Sequence, residues 1–247
     1  MLDNTNALDS ALKGLPRRSD APDIVETVYD PDLVPYIVAL VANKKLRAAF
    51  LHESEEQKSL RLEFAAKTCT PEFWDYMHAR NHMHSTKPFR VGVSPDQVFK
   101  SHSLDRSPIP AFLVKEMREQ ARLLDASFSS FETTDTLIFT SRDQGGTFEM
   151  HQDGNYVTLH KTLAGHHGMT YMTAPISAEL EQLSYNRRAF RAIFEEDSSL
   201  TNVIPTGTLS IFGTNFYHAS SGVESVSVGS VLGDDCVPIK LTHDYDS

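Results

Sequence analysis

The sequence predicts an α+β fold, in which N-terminal helices precede an antiparallel jelly roll that one helical insertion interrupts. Apolar residues recur at helical spacing through the first half of the chain. After Phe128 the character changes to short β-rich runs that glycines and polar turns separate. A helical pattern over residues 177–196 divides these runs. Many short strands at this spacing are typical of a sandwich or a barrel.

The length of the chain, 247 residues, is sufficient for one domain with a sizeable core. We expect residues 1–30 to form a loosely ordered N-terminal arm, because this segment is polar and is interrupted by Pro16 and Pro22. Residues 31–247 then form a single domain. It is expected to be mainly helical over 31–127, with the jelly-roll core over 128–247.

Four helices are predicted before the strands. The first begins near Asp32 and carries an apolar stripe that reaches Phe50. The second spans residues 54–67, with Ser54 as its N-cap. A third follows Thr70-Pro71-Glu72, where threonine caps and proline takes the first helical position. The fourth covers residues 109–126.

The strands are predicted from runs rich in β-branched and aromatic residues. The predicted ranges are 136–140, 147–151, 156–163, 169–173, 201–204, 208–212, 216–219, 223–232 and 237–241.

Composition narrows the class of partner. The formal net charge of -10 argues against a general nucleic-acid or anionic-membrane surface, because both require basic residues. Two cysteines are too few for a disulfide framework or a structural zinc site. Residues 1–20 lack the apolar stretch of a signal peptide, and no apolar run reaches the ~20 residues of a membrane helix. We therefore expect a cytoplasmic protein that acts on a small-molecule substrate.

The most specific motif is His151-Gln-Asp153, followed 67 residues later by His218. Residues i and i+2 of a strand share a face, so the side chains of His151 and Asp153 can reach one metal ion. Two imidazoles and one carboxylate are the ligands of the 2-His-1-carboxylate facial triad, which holds a non-haem Fe(II) and leaves positions open. The sequence therefore predicts an iron site formed by His151, Asp153 and His218.

Residues 207–220, Gly-Thr-Leu-Ser-Ile-Phe-Gly-Thr-Asn-Phe-Tyr-His-Ala-Ser, extend this motif. With His151 and Asp153 they resemble the Fe(II)/2-oxoglutarate-dependent dioxygenases, and the resemblance covers residues of about 136–233. It implies a double-stranded β-helix, with His151, Asp153 and His218 as iron ligands and 2-oxoglutarate and O₂ as cosubstrates. Halogenating relatives have a small residue in place of Asp153, so its presence favours hydroxylation or desaturation. We expect hydroxylation of an unactivated C–H bond in a small polar metabolite such as an amino acid.

One part of the family pattern is missing. The arginine or lysine that usually follows the second histidine by about ten residues, and binds the far carboxylate of 2-oxoglutarate, is absent from 223–232. Some branches of the family carry a lysine on the strand after His-x-Asp, and Lys161 is near that place. Arg142 is a second candidate, and Tyr156 and Thr158 could add hydroxyl donors.

Two alternatives remain open. The missing cation is compatible with a jelly-roll metalloenzyme that does not use 2-oxoglutarate. The other alternative is a metal-free jelly-roll binding or sensor domain, which is favoured if His151, Asp153 and His218 do not converge. His78 and His82 have the i, i+4 spacing that could bind a metal ion on a helix, but no glutamate accompanies them, so we expect a solvated or capping role for these two and for His84. The adjacent His166 and His167 are expected in a loop, and Arg187, Arg188 and Arg191 on the helical insertion.

Overall fold

The structure is a computed structural model of the chain. It describes residues 13–72, 89–91, 111–130, 133–140, 150–152, 156–165, 168–173, 177, 198–219, 225–232 and 237–238.

The described helices are α1 (Val34–Ala42), α2 (Glu55–Thr68) and α3 (Ala111–Ser127), with a 3₁₀ turn at Ser198–Leu200. The described strands are β1 (Ile24–Val28), β2 (Ala48–His52), β3 (Phe89–Val91), β4 (Phe128–Ser130), β5 (Thr133–Thr140), β6 (His151–Gln152), β7 (Val157–Ala164), β8 (Thr170–Met172), β9 (Thr201–Val203), β10 (Leu209–Phe212), β11 (Tyr217–Ala219), β12 (Ser225–Leu232) and β13 (Val237–Pro238). None of the helices in these ranges is long and apolar enough to cross a bilayer.

Two sheets contain most of the strands. The main sheet has the order β1-β2-β10-β7-β12-β5-β3, and the small sheet has the order β6-β11-β8-β9. Strands β1 and β2 pair in parallel, and the other pairings in these two sheets are antiparallel. From β5 to β8 successive strands alternate between the two sheets, and β9 to β12 alternate again. Strand β13 pairs with β4 apart from both sheets.

The main sheet is covered on both faces. Its outer face packs against α1 and α3 in a cluster that includes Ile37, Leu123, Leu159 and Ile211. Its inner face packs against residues of the small sheet in a second cluster. In that cluster Phe50 and Phe212 of the main sheet meet Tyr171 and Phe216. Burial on both faces explains why all eight residues of β7 are buried, whether apolar or polar.

The first predicted helix is shorter than expected. It ends at Ala42, and the apolar residues near Phe50, which were predicted to continue its stripe, belong to β2. Lys44 adopts a positive φ of 58°, which stops the helix. Strand β2 lies between β1 and β10 with both faces covered, so its apolar residues form a continuous run with no alternation.

Part of the expected N-terminal arm is also ordered. Strand β1 falls within residues 1–30 and adds a parallel strand to the main sheet. Ile24 and Val25 are fully buried, one in each of the two apolar clusters. Arg18 binds the carboxylates of Asp20 and Glu26 at 2.9 Å. The predicted arm therefore contains a short strand that its polar composition did not indicate. Residues 31–127, which were expected to be mainly helical, contain strands as well as helices.

Other expectations are confirmed. Ser54 caps α2 through a complete capping box with Gln57. The helix predicted over 109–126 is α3, and eight of the nine predicted strand ranges overlap described strands by at least two residues. The helix expected after residue 72, the insertion over 178–196 and most of the range 147–151 lie outside the described residues.

Candidate functional site

The histidines of the predicted motif lie side by side. Strands β6 and β11 are antiparallel neighbours, and His151 is the direct register partner of His218. The centres of the two imidazole rings are 4.5 Å apart, and the ring planes are inclined by 48°. Two positions that are 67 residues apart in the sequence are therefore adjacent at one edge of the small sheet.

This spacing fits two ligands of one metal ion. A metal–nitrogen bond of about 2.1 Å and about 1.2 Å from nitrogen to ring centre put each centre ~3.3 Å from the ion. Two imidazoles at 90° on an octahedral ion then have centres about 4.5–4.7 Å apart. The observed 4.5 Å agrees with neighbouring positions on such an ion.

The surroundings of His218 orient its ring. Its Nδ1 atom is 3.3 Å from the carbonyl oxygen of Phe216, to which an Nδ1–H can donate. In that tautomer Nε2 carries the lone pair that a metal requires. His218 is only 5% exposed, and its ring contacts those of Phe212 and Phe216 at centre distances of 4.8 and 5.8 Å. These phenylalanines fix the ring and exclude water from one side of it.

The two histidines differ in access. His151 is exposed to solvent, whereas His218 is buried. A site formed by both side chains would therefore lie at the protein surface, with one of its walls in the interior. Asp153 lies outside the described residues. Within the described ranges, no group of three histidine, cysteine or acidic side chains is placed to hold a metal ion.

A third histidine lies on the inner face of the main sheet. His160 of β7 is the register partner of Ser210, on the same face as Phe212. Burial and, to a smaller extent, the nearby His218 together lower the pKa of His160 to about 3. A Cβ added to Gly229 would lie 3.9 Å from the His160 ring. His160 is therefore a neutral imidazole, and the glycine leaves room beside it.

Small hydroxyl side chains surround His160 on this face. The inner residues of β7, β10 and β12 alternate with the residues that face the helices. Ser227 donates a hydrogen bond to the hydroxyl of Thr162 at 3.2 Å. The inner face thus carries a buried polar surface, whose members are Thr158, His160, Thr162, Ser210 and Ser227.

Lys161 lies on the opposite face. Its register partner Leu209 belongs to the apolar cluster under the helices, and its ammonium binds the carboxylate of Glu116 on α3 at 2.7 Å. Both side chains are largely buried, with 10% and 15% exposure. From this position Lys161 would have to change faces of the sheet to approach His218.

The other residues that were predicted to bind the cosubstrate do not lie on one face of the main sheet. Thr158 lies on the inner face as the register partner of Phe212. Tyr156 packs against the cluster on the helix side. Arg142 lies outside the described residues, as do the histidines at 78, 82, 84, 166 and 167 and the arginines of the insertion.

Sequence reasoning did not single out His160. Its signal was the alternation Thr158, His160, Thr162, which marks one polar face of a β-strand. The sequence pattern favoured Lys161 instead, which lies on the other face of the same strand.

No protein-family model and no curated protein matches the chain. Among solved structures, an N-substituted L-amino acid dioxygenase from Burkholderia ambifaria is 11% identical with a TM-score of 0.37, covering 82% of this chain and 89% of that one. A dioxygenase for auxin oxidation from Arabidopsis thaliana, solved with 2-oxoglutarate, is 10% identical with a TM-score of 0.42, covering 89% and 95%. A Pseudomonas putida prolyl-4-hydroxylase is 13% identical with a TM-score of 0.34, covering 81% and 98%. These identities and TM-scores are too low to establish a shared fold or a shared reaction.

Proposed function

We propose that the protein is a non-haem Fe(II)/2-oxoglutarate-dependent dioxygenase with a jelly-roll core. The observation that carries this proposal is the direct pairing of His151 with His218 at a ring distance that suits one octahedral ion. The alternation of successive strands between the two sheets supports the jelly roll. In such a fold, ligands from strands that are far apart in the sequence can meet at one site.

His151 and His218 would hold the iron, and Asp153 is the carboxylate that the sequence motif supplies. A ferrous ion with 2-oxoglutarate and O₂ supplies the oxidant for breaking an unactivated C–H bond. The Phe216 carbonyl fixes the tautomer of His218, and Phe212 keeps water from one side of its ring. His160 stays neutral near His218 and adds no positive charge to repel a cation.

For 2-oxoglutarate we propose the inner face of the main sheet, where Thr158 offers a hydroxyl donor. Arg142 remains a candidate for the carboxylate partner. We do not assign that role to Lys161, because its ammonium is held by Glu116 on the outer face. Tyr156 is likewise set aside, because it packs on the helix side. We further propose a small polar metabolite, such as an amino acid, as substrate.

A second candidate function is supported by one specific observation. Neither β7 nor β12 directs a lysine or arginine to its inner face, since the inner residues there are Thr158, His160, Thr162, Ser227 and Gly229. A dicarboxylate in a buried site needs a charged partner. A jelly-roll metalloenzyme that does not use 2-oxoglutarate is therefore the alternative, with the same two histidines as metal ligands.

The iron site can be tested without knowing the substrate. Anaerobic titration with Fe(II) should give one equivalent bound to the wild-type protein. We expect His218→Ala and Asp153→Ala each to weaken binding by at least about tenfold, since a removed ligand is not replaced. His52→Ala is the matched control, because His52 contacts Glu26 and Thr208 instead of the histidine pair. Equal affinity in wild type, His218→Ala and Asp153→Ala would reject the proposed iron site.

A further inference from the structure

A cavity of about 210 Å³ lies on the outer face of the main sheet, between the sheet and the helices α2 and α3. Leu60, Phe112 and Leu209 form apolar walls, and Lys115, Glu116 and Lys161 bring charges to it. Its volume is smaller than the ~300–1,000 Å³ of pockets for drug-sized ligands. The cavity therefore suits a compact metabolite.

The charged pair inside the cavity is costly as a purely structural element. Lys161 and Glu116 are 2.7 Å apart, and both side chains are largely buried. Removing two charges from water opposes folding, and well-packed apolar residues often stabilise such a position equally well. Here the pair borders a cavity, so its ammonium and carboxylate can exchange partners with a ligand that enters.

The cavity presents charges of both signs beside apolar surface. Besides the pair, Glu119 lines it and accepts hydrogen bonds from the Tyr29 hydroxyl and from Arg122. Lys115 is exposed at its margin. A simple anion would meet the carboxylates of Glu116 and Glu119, and a simple cation would meet the two lysines. A ligand that carries both charges and an apolar part matches all of these groups.

We infer that this cavity binds a free α-amino acid with an apolar side chain. Its carboxylate would bind Lys161, its ammonium would bind Glu116, and its side chain would lie against Leu60, Phe112 and Leu209. The site is separate from the histidine pair, because Lys161 and His160 lie on opposite faces of β7. It does not depend on the proposed oxygenase activity.

The inference can be tested by isothermal titration calorimetry of the metal-free 247-residue chain with L-leucine. We expect one site with a dissociation constant below about 1 mM. L-leucinamide lacks the carboxylate and 4-methylpentanoate lacks the ammonium, so each should bind at least about tenfold more weakly, through loss of one charge-assisted contact. Failure of L-leucine to bind at ~10 mM would overturn the inference.

Variants locate the site. Lys161→Met should weaken L-leucine binding by at least about tenfold, and so should the double variant Lys161→Met/Glu116→Gln, which leaves no unpaired buried charge. The matched control is Lys67→Met/Glu63→Gln, which removes an exposed ion pair from α2 and should not change binding.

A second control separates the cavity from the histidine pair. His218→Ala should bind L-leucine like the wild type. If His218→Ala abolishes binding while the lysine variants retain it, the amino acid occupies the metal centre, and the inference is wrong.

Discussion

His160 and Lys161 are consecutive residues of β7 whose side chains lie on opposite faces of the main sheet. His160 faces the small sheet, and Lys161 binds Glu116 beneath the helices. Both are buried, so neither position tolerates an unpaired charge. His160 avoids a buried unpaired charge by remaining a neutral imidazole, and Lys161 avoids it by pairing with Glu116. This arrangement places the lysine outside the proposed cosubstrate pocket.

Lys161→Met should therefore leave the affinity for 2-oxoglutarate within about twofold of wild type, because a residue on the outer face makes no contact with the cosubstrate. Thr158→Val, on the inner face, should weaken it about three- to tenfold through loss of one hydrogen bond. The measurement is an anaerobic titration of the iron-loaded protein with 2-oxoglutarate. A loss much greater than tenfold in Lys161→Met alone would restore the role that the sequence predicted for this lysine.

His160 should make the metal-free protein sensitive to acid. Burial holds its folded-state pKa at about 3, below the ordinary value of 6.5, so the unfolded chain binds an additional proton between these values. Stability falls as the pH decreases through this range. Between pH 6.5 and 5, we expect wild type to lose about 2 kcal/mol more than His160→Gln.

Urea unfolding at several pH values measures this difference. Only the pH dependence is compared, since the substitution also changes packing. Parallel pH profiles for wild type and His160→Gln would show that the imidazole is not held neutral.

Gly207 is required by the backbone and by its neighbour. Its φ is +93°, and an added Cβ would lie 2.3 Å from the carboxylate of Glu53, which also binds Arg61 at 2.6 Å. We expect Gly207→Ala to destabilise the protein by about 2–4 kcal/mol, through backbone strain and displacement of this carboxylate. Gly14→Ala is the matched control, because a Cβ added there would lie more than 4 Å from the other described residues around it. Chemical denaturation should leave Gly14→Ala within about 0.5 kcal/mol of wild type.

Cys69 should react slowly with thiol reagents. Burial raises its pKa to about 11, so at pH 8 only about 0.1% of the thiol is ionised. In a Cys236→Ser background, its reaction with an aromatic disulfide should be about a hundredfold slower than that of an unfolded control in denaturant. Equal rates in the folded and unfolded states would show that the thiol is not desolvated.

Much of the fold in the second half of the chain could be predicted from the sequence, because the strand-forming runs there agree with the positions of the histidine motif. The runs around Val157 and Leu209 form strands close to the predicted bounds, and His151 meets His218 as the motif required. Ser54 was identifiable because a capping box is a local feature.

The remaining features depend on tertiary contacts. Strand β1 could not be recognised within a polar segment, because it is stabilised by pairing with β2 and by burial of Ile24 and Val25. The face of Lys161 could not be assigned, because both faces of β7 are buried and its burial gives no indication of direction. Its partner Glu116 is 45 residues away in the sequence.

The most direct test of the proposed function is the anaerobic visible spectrum of the protein during addition of Fe(II) and then 2-oxoglutarate. A charge-transfer band that appears only after both additions, and not in His218→Ala, is the predicted result. His52→Ala should give the same band as the wild type. If wild type binds iron but shows no band with 2-oxoglutarate, the protein is a metalloenzyme of another kind. If it binds no iron, the pairing of His151 with His218 does not form a metal centre.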